Sequence, residues 1–280
     1  MAFVYHVELT NACDLECAYC PLTTSTRAPS AMKEETFVKV VEHMRRLSPL
    51  NFAILHHFGE PLLHPELPRF IELAAAAHLN PGFSTNGETL TRERFEELCD
   101  RGLRWMCVTF HTAAGARTYQ AMLGPARARG LFYWGRELVD APGGHDPEAI
   151  FNYGIERQLK HTFAGAVGPA PMRPPGGRPA CDYLDRNFVC VLHDGRVVPC
   201  AMDERAENVL GTVDDLDRIV QQPSYELCRT CEGFTFYAGF RALAGRLLGE
   251  RPQRMDPAGF VEHLAIDDDP RAWSRAAEAR

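Results

Sequence analysis

The 280-residue sequence predicts an α/β protein built on a parallel sheet. In its first half, strand-like apolar runs alternate with amphipathic helix-like runs, which is the signature of repeated βαβ units. Its composition, 45% hydrophobic and 24% charged, is that of a globular chain long enough for one or two cores.

The strand-like runs are FVYHVEL (3–9), FAILHHF (52–58), GFSTN (82–86) and WMCVTF (105–110), with LFYWGREL (131–138) as a fifth. Between them lie amphipathic stretches at 33–47, 65–79 and 91–102. Thr91, just before Glu93 and Arg94, is placed to cap the last of these, and Gly102 to stop it. From about Gly143 the alternation breaks. Residues 168–179 are rich in Pro and Gly and read as an irregular linker. FVCVLHDGRVVPC (188–200) predicts a hairpin turning at Asp194-Gly195. A short helix is expected over 214–222 and helical periodicity over the second half of 234–249. The acidic, Arg- and Ala-rich tail 251–280 is expected to be poorly ordered.

Net charge is −7 and the three lysines, Lys33, Lys39 and Lys160, are scattered, which argues against a nucleic-acid-tracking surface. No apolar run reaches the ~18 residues of a membrane span. The opening MAFVYHVELT lacks a basic segment followed by an apolar one, so a cytoplasmic location is expected. In that compartment ten cysteines point to metal ligation or redox chemistry before disulfides.

Cys13, Cys17 and Cys20 follow the first strand directly, at the strand end where parallel-sheet enzymes place their sites. Three thiolates on one loop can wrap a 4Fe–4S cube and leave one iron open. A zinc knob or buried free cysteines are the alternatives. Cys181, Cys200, Cys228 and Cys231 form a second set of four, enough to close the coordination of a cluster or a zinc. Cys190 and Cys107 lie on strands and read as core.

The spacing Cys-x3-Cys-x2-Cys, with Tyr19 before the last Cys, resembles the radical S-adenosylmethionine (SAM) superfamily. Gly59-Glu60-Pro61 resembles its GGEP segment, with Phe58 in place of the first Gly, and Ser84-Thr85-Asn86-Gly87 resembles its ribose- and carboxylate-binding element. The resemblance covers roughly residues 3–135. It implies a partial (β/α)6 TIM-type barrel, a 4Fe–4S cluster on Cys13, Cys17 and Cys20, and SAM as cofactor. It also implies an external one-electron donor such as flavodoxin or ferredoxin. The cofactor would be held by Gly59, Glu60 and Pro61 at its amino group, by Ser84, Thr85 and Asn86, and by packing of Tyr19 and Phe58. The second cysteine set, interrupted by a hairpin and a helix, resembles the twitch domain, the short form of the SPASM domain. That resemblance implies an auxiliary 4Fe–4S cluster on Cys181, Cys200, Cys228 and Cys231, with zinc as the alternative. The domains would then be a barrel over 1–165, a twitch domain over 166–250 and a tail over 251–280.

Within the family, Val108-Thr109 followed by His111, Pro199-Cys200 and Leu227-Cys228 resemble the alcohol dehydrogenases of aminoglycoside biosynthesis. Their resemblance implies hydrogen-atom abstraction from a small sugar, aminocyclitol or nucleoside, and oxidation of an alcohol. Where those enzymes carry an arginine, this chain has His161-Thr162-Phe163-Ala164-Gly165. His161, and His111 at the end of the fourth strand, are therefore the candidate bases. His56 and His57 face opposite ways on a strand, so one can face the interior. Four alternatives stay open: an epimerase using a Cys107 or Cys190 thiol, sulfur transfer, peptide modification, and a non-catalytic iron–sulfur or zinc module. A first strand starting so close to Met1 leaves no room for a separate peptide-recognition domain and lowers the third of these.

Overall fold

The computed structural model describes residues 1–47, 51–139, 152–168, 170 and 172–234. Its strands join one sheet. Strands β1 (Phe3–Val7), β2 (Phe52–Ile54), β3 (Asn80–Thr85), β4 (Trp105–Phe110), β5 (Phe132–Val139) and β6 (Ile155–Leu159) lie side by side in chain order, every neighbouring pair parallel. Helices α1 (Glu34–Leu47), α2 (Leu67–Ala76), α3 (Arg92–Asp100) and α4 (Ala113–Arg129) carry the chain from strand to strand. This is the α/β parallel-sheet architecture that the alternation predicts.

Helix α1 buries Phe37, Val40, Val41, Met44 and Leu47, a stripe at helical spacing, and Phe37 stacks on Phe70 of α2 with centroids 4.3 Å apart. Each such buried aromatic contributes roughly 1.5–3 kcal/mol. Its acidic Glu34 and Glu35 and basic Arg45 and Arg46 suit the helix dipole. Thr91 caps α3 as expected, accepting from the Arg94 amide at 3.2 Å. Helix α4 escaped the sequence reading because Gly124-Pro125 interrupts its pattern. It stands because Thr112 caps its start, Gly130 closes it in the left-handed region, and Gly115, Tyr119, Met122 and Ala126 are buried along one stripe. Strand β6 escaped because Ile155-Glu156-Arg157-Gln158-Leu159 is too polar to read as a strand.

The second half does not stand apart from the sheet. Beyond a short helix α5 (Asp182–Asp185), strand β7 (Phe188–Val191) pairs parallel with β1. It then turns through Asp194-Gly195 into antiparallel β8 (Arg196–Val198), which pairs with β9 (Gly211–Thr212). The hairpin is as predicted. The helix expected over 214–222 is not: a single 3-10 turn, Val213–Asp215, replaces it. Asp215 folds back to accept from the Thr212 amide and hydroxyl, which closes a turn in place of a continuing helix. The linker 168–179 carries no helix or strand among its described residues, and the segments 234–249 and 251–280 lie outside the described residues but for Phe234.

Alternation along the strands creates two faces. The outer face buries Val4, Ala53, Phe83, Met106 and Tyr133 against the helices. The inner face can be read in layers from the pairing register. The lowest layer holds Gly82, Trp105 and Phe132, with Phe3 and Phe188 alongside. Gly82 is required there, because a Cβ would come within 2.2 Å of the Trp105 ring. The next layer is Ser84, Cys107 and Trp134. Above it, toward the strand ends, come Thr109, Arg136 and Glu156. The inner wall is thus apolar at its base and polar at its top.

Candidate active site

The loop after β1 carries the first cysteine set. Its course is tied down by side chains: Thr10 Oγ1 donates to the Ser30 carbonyl (2.7 Å), Asn11 Nδ2 to the Ala28 carbonyl (3.1 Å), and the Ser30 amide to Asn11 Oδ1 (2.7 Å). The Cys20 amide donates to the Cys17 carbonyl at 2.8 Å, a turn that brings the two residues together. Cys13 is exposed and Cys17 and Cys20 are half-buried. Burial pushes the Cys20 thiol up to about 11, with the nearby Cys13 and Cys17 thiols adding to the shift.

Gly59, Glu60 and Pro61 lie against this loop. The Glu60 amide donates to the Ala12 carbonyl at 2.8 Å. Gly59 has φ +79° and approaches so closely that a Cβ would lie 2.3 Å from the Thr10 carbonyl oxygen. The buried Glu60 carboxylate accepts from Thr85 Oγ1 (2.8 Å), the Asn86 amide (2.8 Å) and the Leu62 amide (3.0 Å). Burial raises it to about 7 against those bonds. Asn86 Nδ2 in turn donates to Asp14 Oδ1 at 2.6 Å. Three segments more than twenty residues apart in sequence therefore meet: the Cys loop, Gly59-Glu60-Pro61 and Thr85-Asn86.

Tyr19 meets His111: its hydroxyl lies 2.8 Å from Nδ1, the rings stack at 5.8 Å, and the Lys160 ammonium lies 4.9 Å over the Tyr19 ring. Phe58 is buried, 4.5 Å from the His57 ring and 5.6 Å from the Phe163 ring. Ser84 is turned to the inner face beside Cys107 and is not part of the Glu60 contacts. His161 packs between Phe163 and Phe234, with centroids 6.0 and 5.3 Å away. Burial lowers both His111 and His161, and the Arg136 guanidinium adds to the shift in each, so both rings favour the neutral form that accepts a proton. His56 is lowered to about 3, chiefly by burial.

Cys181, Cys200, Cys228 and Cys231 are all buried and line one cavity with Tyr183 and Met202. The Tyr225 amide donates to Cys228 Sγ at 3.4 Å and the Gly233 amide to Cys231 Sγ at 3.3 Å. Such N–H···S bonds steady thiolate ligands. Among the described residues, no three His, Cys, Asp or Glu side chains are gathered so as to hold a single metal ion. Cys190, fully buried on β7, packs in the same apolar cluster as Cys181, Cys200 and Cys231, as a core residue should.

Two groups of polar residues went unread in the sequence. Glu8 is fully buried and forms a bidentate pair with Arg27 (both 2.7 Å), while His193 Nδ1 lies 2.7 Å and His57 Nδ1 3.3 Å from it. Arg27 Nε also reaches Glu204 Oε1 at 3.2 Å, which accepts from Ser25 Oγ at 2.7 Å. Burial alone would raise the Glu8 carboxyl, but hydrogen bonds from Arg27, His193 and His57 hold it well below the usual range. The cluster joins the Cys13–Cys20 loop, the end of β2 and the loop after Cys200. The second group is the Arg136–Glu156 pair on the inner wall, with Nε and Oε2 3.0 Å apart. The only signal of either in sequence is charge inside a strand run, at Glu8 and Arg136.

The family model of the radical SAM superfamily matches residues 7–127. The chain is 27% identical over 214 residues to the S-adenosyl-L-methionine-dependent 2-deoxy-scyllo-inosamine dehydrogenase of Niallia circulans, covering 75% of this chain and 77% of the relative. It is 32% identical over 134 residues to the PqqA peptide cyclase of Streptomyces rochei, but spans 35% of that relative. In structure it resembles BtrN, solved in complex with AdoMet and 2-DOIA, with a TM-score of 0.57 at 21% identity, over 83% of this chain and 93% of that one. Among the described residues no helix is long and apolar enough to cross a membrane.

Proposed function

Because residues 7–127 are a radical SAM domain and the chain is a radical SAM enzyme related to a dehydrogenase, we propose that it oxidises a secondary alcohol of a sugar, aminocyclitol or nucleoside in natural-product biosynthesis. When bound, SAM and its 4Fe–4S cluster would supply the radical that removes a hydrogen atom, and an auxiliary cluster would take up the second electron. Cys13, Cys17 and Cys20 hold the first cluster in this reading, and Cys181, Cys200, Cys228 and Cys231 the auxiliary one. Three thiols on one pinned loop suit a group that must keep an open position, and four buried thiols with N–H···S bonds suit one that need not.

The remaining residues position and deprotonate. Gly59, Glu60 and Pro61 with Thr85 and Asn86 shape the cofactor cradle, and Ser84, Tyr19 and Phe58 border it. His111, neutral and held by Tyr19, takes the hydroxyl proton, with His161 as the second candidate base. The first electron comes from a flavodoxin- or ferredoxin-like donor, in the cytoplasm. The barrel domain spans 1–165 and the twitch domain 166–250, sharing the sheet through β7 and β1.

One observation carries the choice of reaction. The apolar cluster of the inner wall, with Trp105, Cys107 and Trp134, is continuous with Cys181, Cys200 and Cys231. An electron acceptor there adjoins the space where a substrate radical would form. An epimerase would use Cys107 as its hydrogen-atom donor, but that thiol is fully buried in the wall layer of Ser84 and Trp134. Mass spectrometry of the product decides: oxidation removes two mass units, whereas an unchanged mass with deuterium gained from heavy water overturns the reading.

A further inference from the structure

The top layer of the inner wall holds a charged pair that the cofactor reading leaves unused. Arg136 and Glu156 are register partners on β5 and β6, so their side chains leave the same face side by side. The carboxylate is fixed twice over. Its Oε2 accepts from Arg136 Nε at 3.0 Å and from Trp134 Nε1 at 3.1 Å. Trp134 is itself closely packed, 2% exposed and stacked on Trp105 at 5.7 Å. Arg136 spends only Nε on this pair: among the described residues, its two terminal nitrogens donate to no protein acceptor. The side chains stay 22% and 11% exposed, while Trp134 and Cys107 in the layer beneath are sealed.

Such a pair is poorly explained by stability. A half-buried ion pair roughly breaks even against apolar residues of the same size. Its position is better explained by what it offers the interior: a planar, pre-oriented donor fork beside a carboxylate acceptor, with no net charge. Arg136 also sits next to Thr109 in register, two residues before His111 on β4, and His111 is joined to Tyr19 of the cysteine loop. The fork therefore lies on the wall that runs toward the first cysteine set.

We propose that Arg136 and Glu156 anchor a neutral or cationic polyhydroxylated ring, the guanidinium donating to two neighbouring hydroxyl oxygens and the carboxylate accepting from a hydroxyl or ammonium hydrogen. The inference rests on the alcohol-oxidation reading and names its substrate class. Anionic rings, such as sugar phosphates, are turned away by Glu156, because the pair has no positive charge to spare.

The test uses the reconstituted protein with SAM, and 2-deoxy-scyllo-inosamine, scyllo-inositol and an inositol phosphate as probes. Binding is measured calorimetrically without reductant, and turnover separately with dithionite. The wild type binds the first two probes and not the phosphate. Arg136→Lys, which keeps the charge but loses the fork, weakens both by roughly ten- to a hundredfold, the effect of a lost charge-assisted hydrogen bond. Glu156→Gln narrows the preference for the amine over scyllo-inositol. Iron content and substrate-free formation of 5′-deoxyadenosine stay as in the wild type, which separates a lost anchor from a misfolded barrel. Equal affinities in the wild type and both variants overturn the anchor, even if the product is oxidised. Tight, fork-dependent binding followed by a product of unchanged mass overturns the oxidation reading and leaves the anchor standing. A wild type that binds the phosphate best overturns the substrate class.

Discussion

The two cysteine sets of this chain live in opposite surroundings. Cys13, Cys17 and Cys20 sit on an irregular loop, one exposed and two half-buried, held in shape by Thr10, Asn11 and Ser30 rather than by a core. Cys181, Cys200, Cys228 and Cys231 are each less than a tenth exposed and are packed into the apolar inner cluster and its margins. The difference teaches how one fold can offer two kinds of site. A loop fixed from its rim can admit a cofactor against its open side, whereas a sealed pocket can pass electrons but not substrate. Charge is managed accordingly: the polar rim, with Glu60, Asn86, Asp14 and Glu8, belongs to the first set.

The largest effect should come from dividing the two sets by mutation. The reconstituted protein should hold about eight irons if each set carries a four-iron cluster. Replacing Cys13, Cys17 and Cys20 together with Ala should leave about four and abolish SAM cleavage. Cys228→Ala should do the opposite, keeping cleavage to 5′-deoxyadenosine while losing the oxidised product. Iron analysis and product assay check both. If the Cys228 variant also stops cleaving SAM, the two sites are not separable and the contrast is wrong.

The next largest effect concerns what joins them. Glu8 is held by Arg27 from the first loop, by His57 from the end of β2 and by His193 from the hairpin, and Arg27 passes on to Glu204 beyond Cys200. Glu8→Gln removes the carboxylate that meets both terminal nitrogens of Arg27 and leaves this 6% exposed guanidinium with Glu204 alone, at Nε. The loss is about 3 kcal/mol, the low end for a broken buried pair, because Glu204 still offsets part of the charge. Both sets should then lose iron together, seen as parallel falls in metal content and in thermal midpoint. Loss from one set alone would show that Glu8 serves only its own loop. The pH sense follows from its lowered pKa. The stabilisation is complete above the unfolded carboxylate range and disappears only as pH falls well below it.

Gly59 should act more locally. Gly59→Ala adds a Cβ 2.3 Å from the Thr10 carbonyl at a backbone angle of +79°, so the loop must move. The expected cost is about 1–3 kcal/mol, with SAM affinity lowered and the second set's iron unchanged. Equal losses from both sets would mean that the loop does not tolerate strain independently of the core.

How much of this was legible beforehand depends on what kind of signal each part carries. Strands such as 105–110 announce themselves as short, unbroken apolar runs buried on both faces, and helices such as 33–47 because their apolar residues repeat at helical period. The cysteine spacings are legible because short loops constrain their own geometry. Helix α4 and strand β6 were missed since tertiary packing, not local pattern, sustains them: α4 through its capping Thr112 and its packing on β4 and β5, β6 through pairing with β5. The helix expected at 214–222 failed because one side chain, Asp215, had a better local partner in Thr212. Glu8, Arg27 and Glu204 could not be joined from sequence at all, because 19 and 177 positions separate the partners. Arg136 was hidden in a run that read simply as a strand, although a charge on the inner period of a buried strand was the available clue.

The smallest predicted effect is also the most discriminating about the rim of the first set. Glu60 accepts three hydrogen bonds, two on Oε1 from Leu62 and Thr85 and one on Oε2 from the Asn86 amide. In Glu60→Gln the amide oxygen can keep the first two, but its nitrogen then faces the Asn86 N–H, donor against donor. The loss is about 1–2 kcal/mol, or roughly ten-fold in SAM affinity if Asn86 lines the cofactor. The two side chains also differ in titration. Burial raises Glu60 to about 7, so in the folded chain it takes up its proton already as pH falls below that value. Its contribution to stability is therefore present below the unfolded value of ~4.3 and is lost as pH rises toward 7. Gln carries no proton to lose, so between about pH 4.5 and 7 the wild type should lose stability relative to the variant, the buried histidines contributing equally to both. Thermal midpoints and SAM binding across that window measure both. Parallel curves for the two proteins would mean that Glu60 stays ionised on its three donors, and that hydrogen bonding at the rim outweighs burial after all.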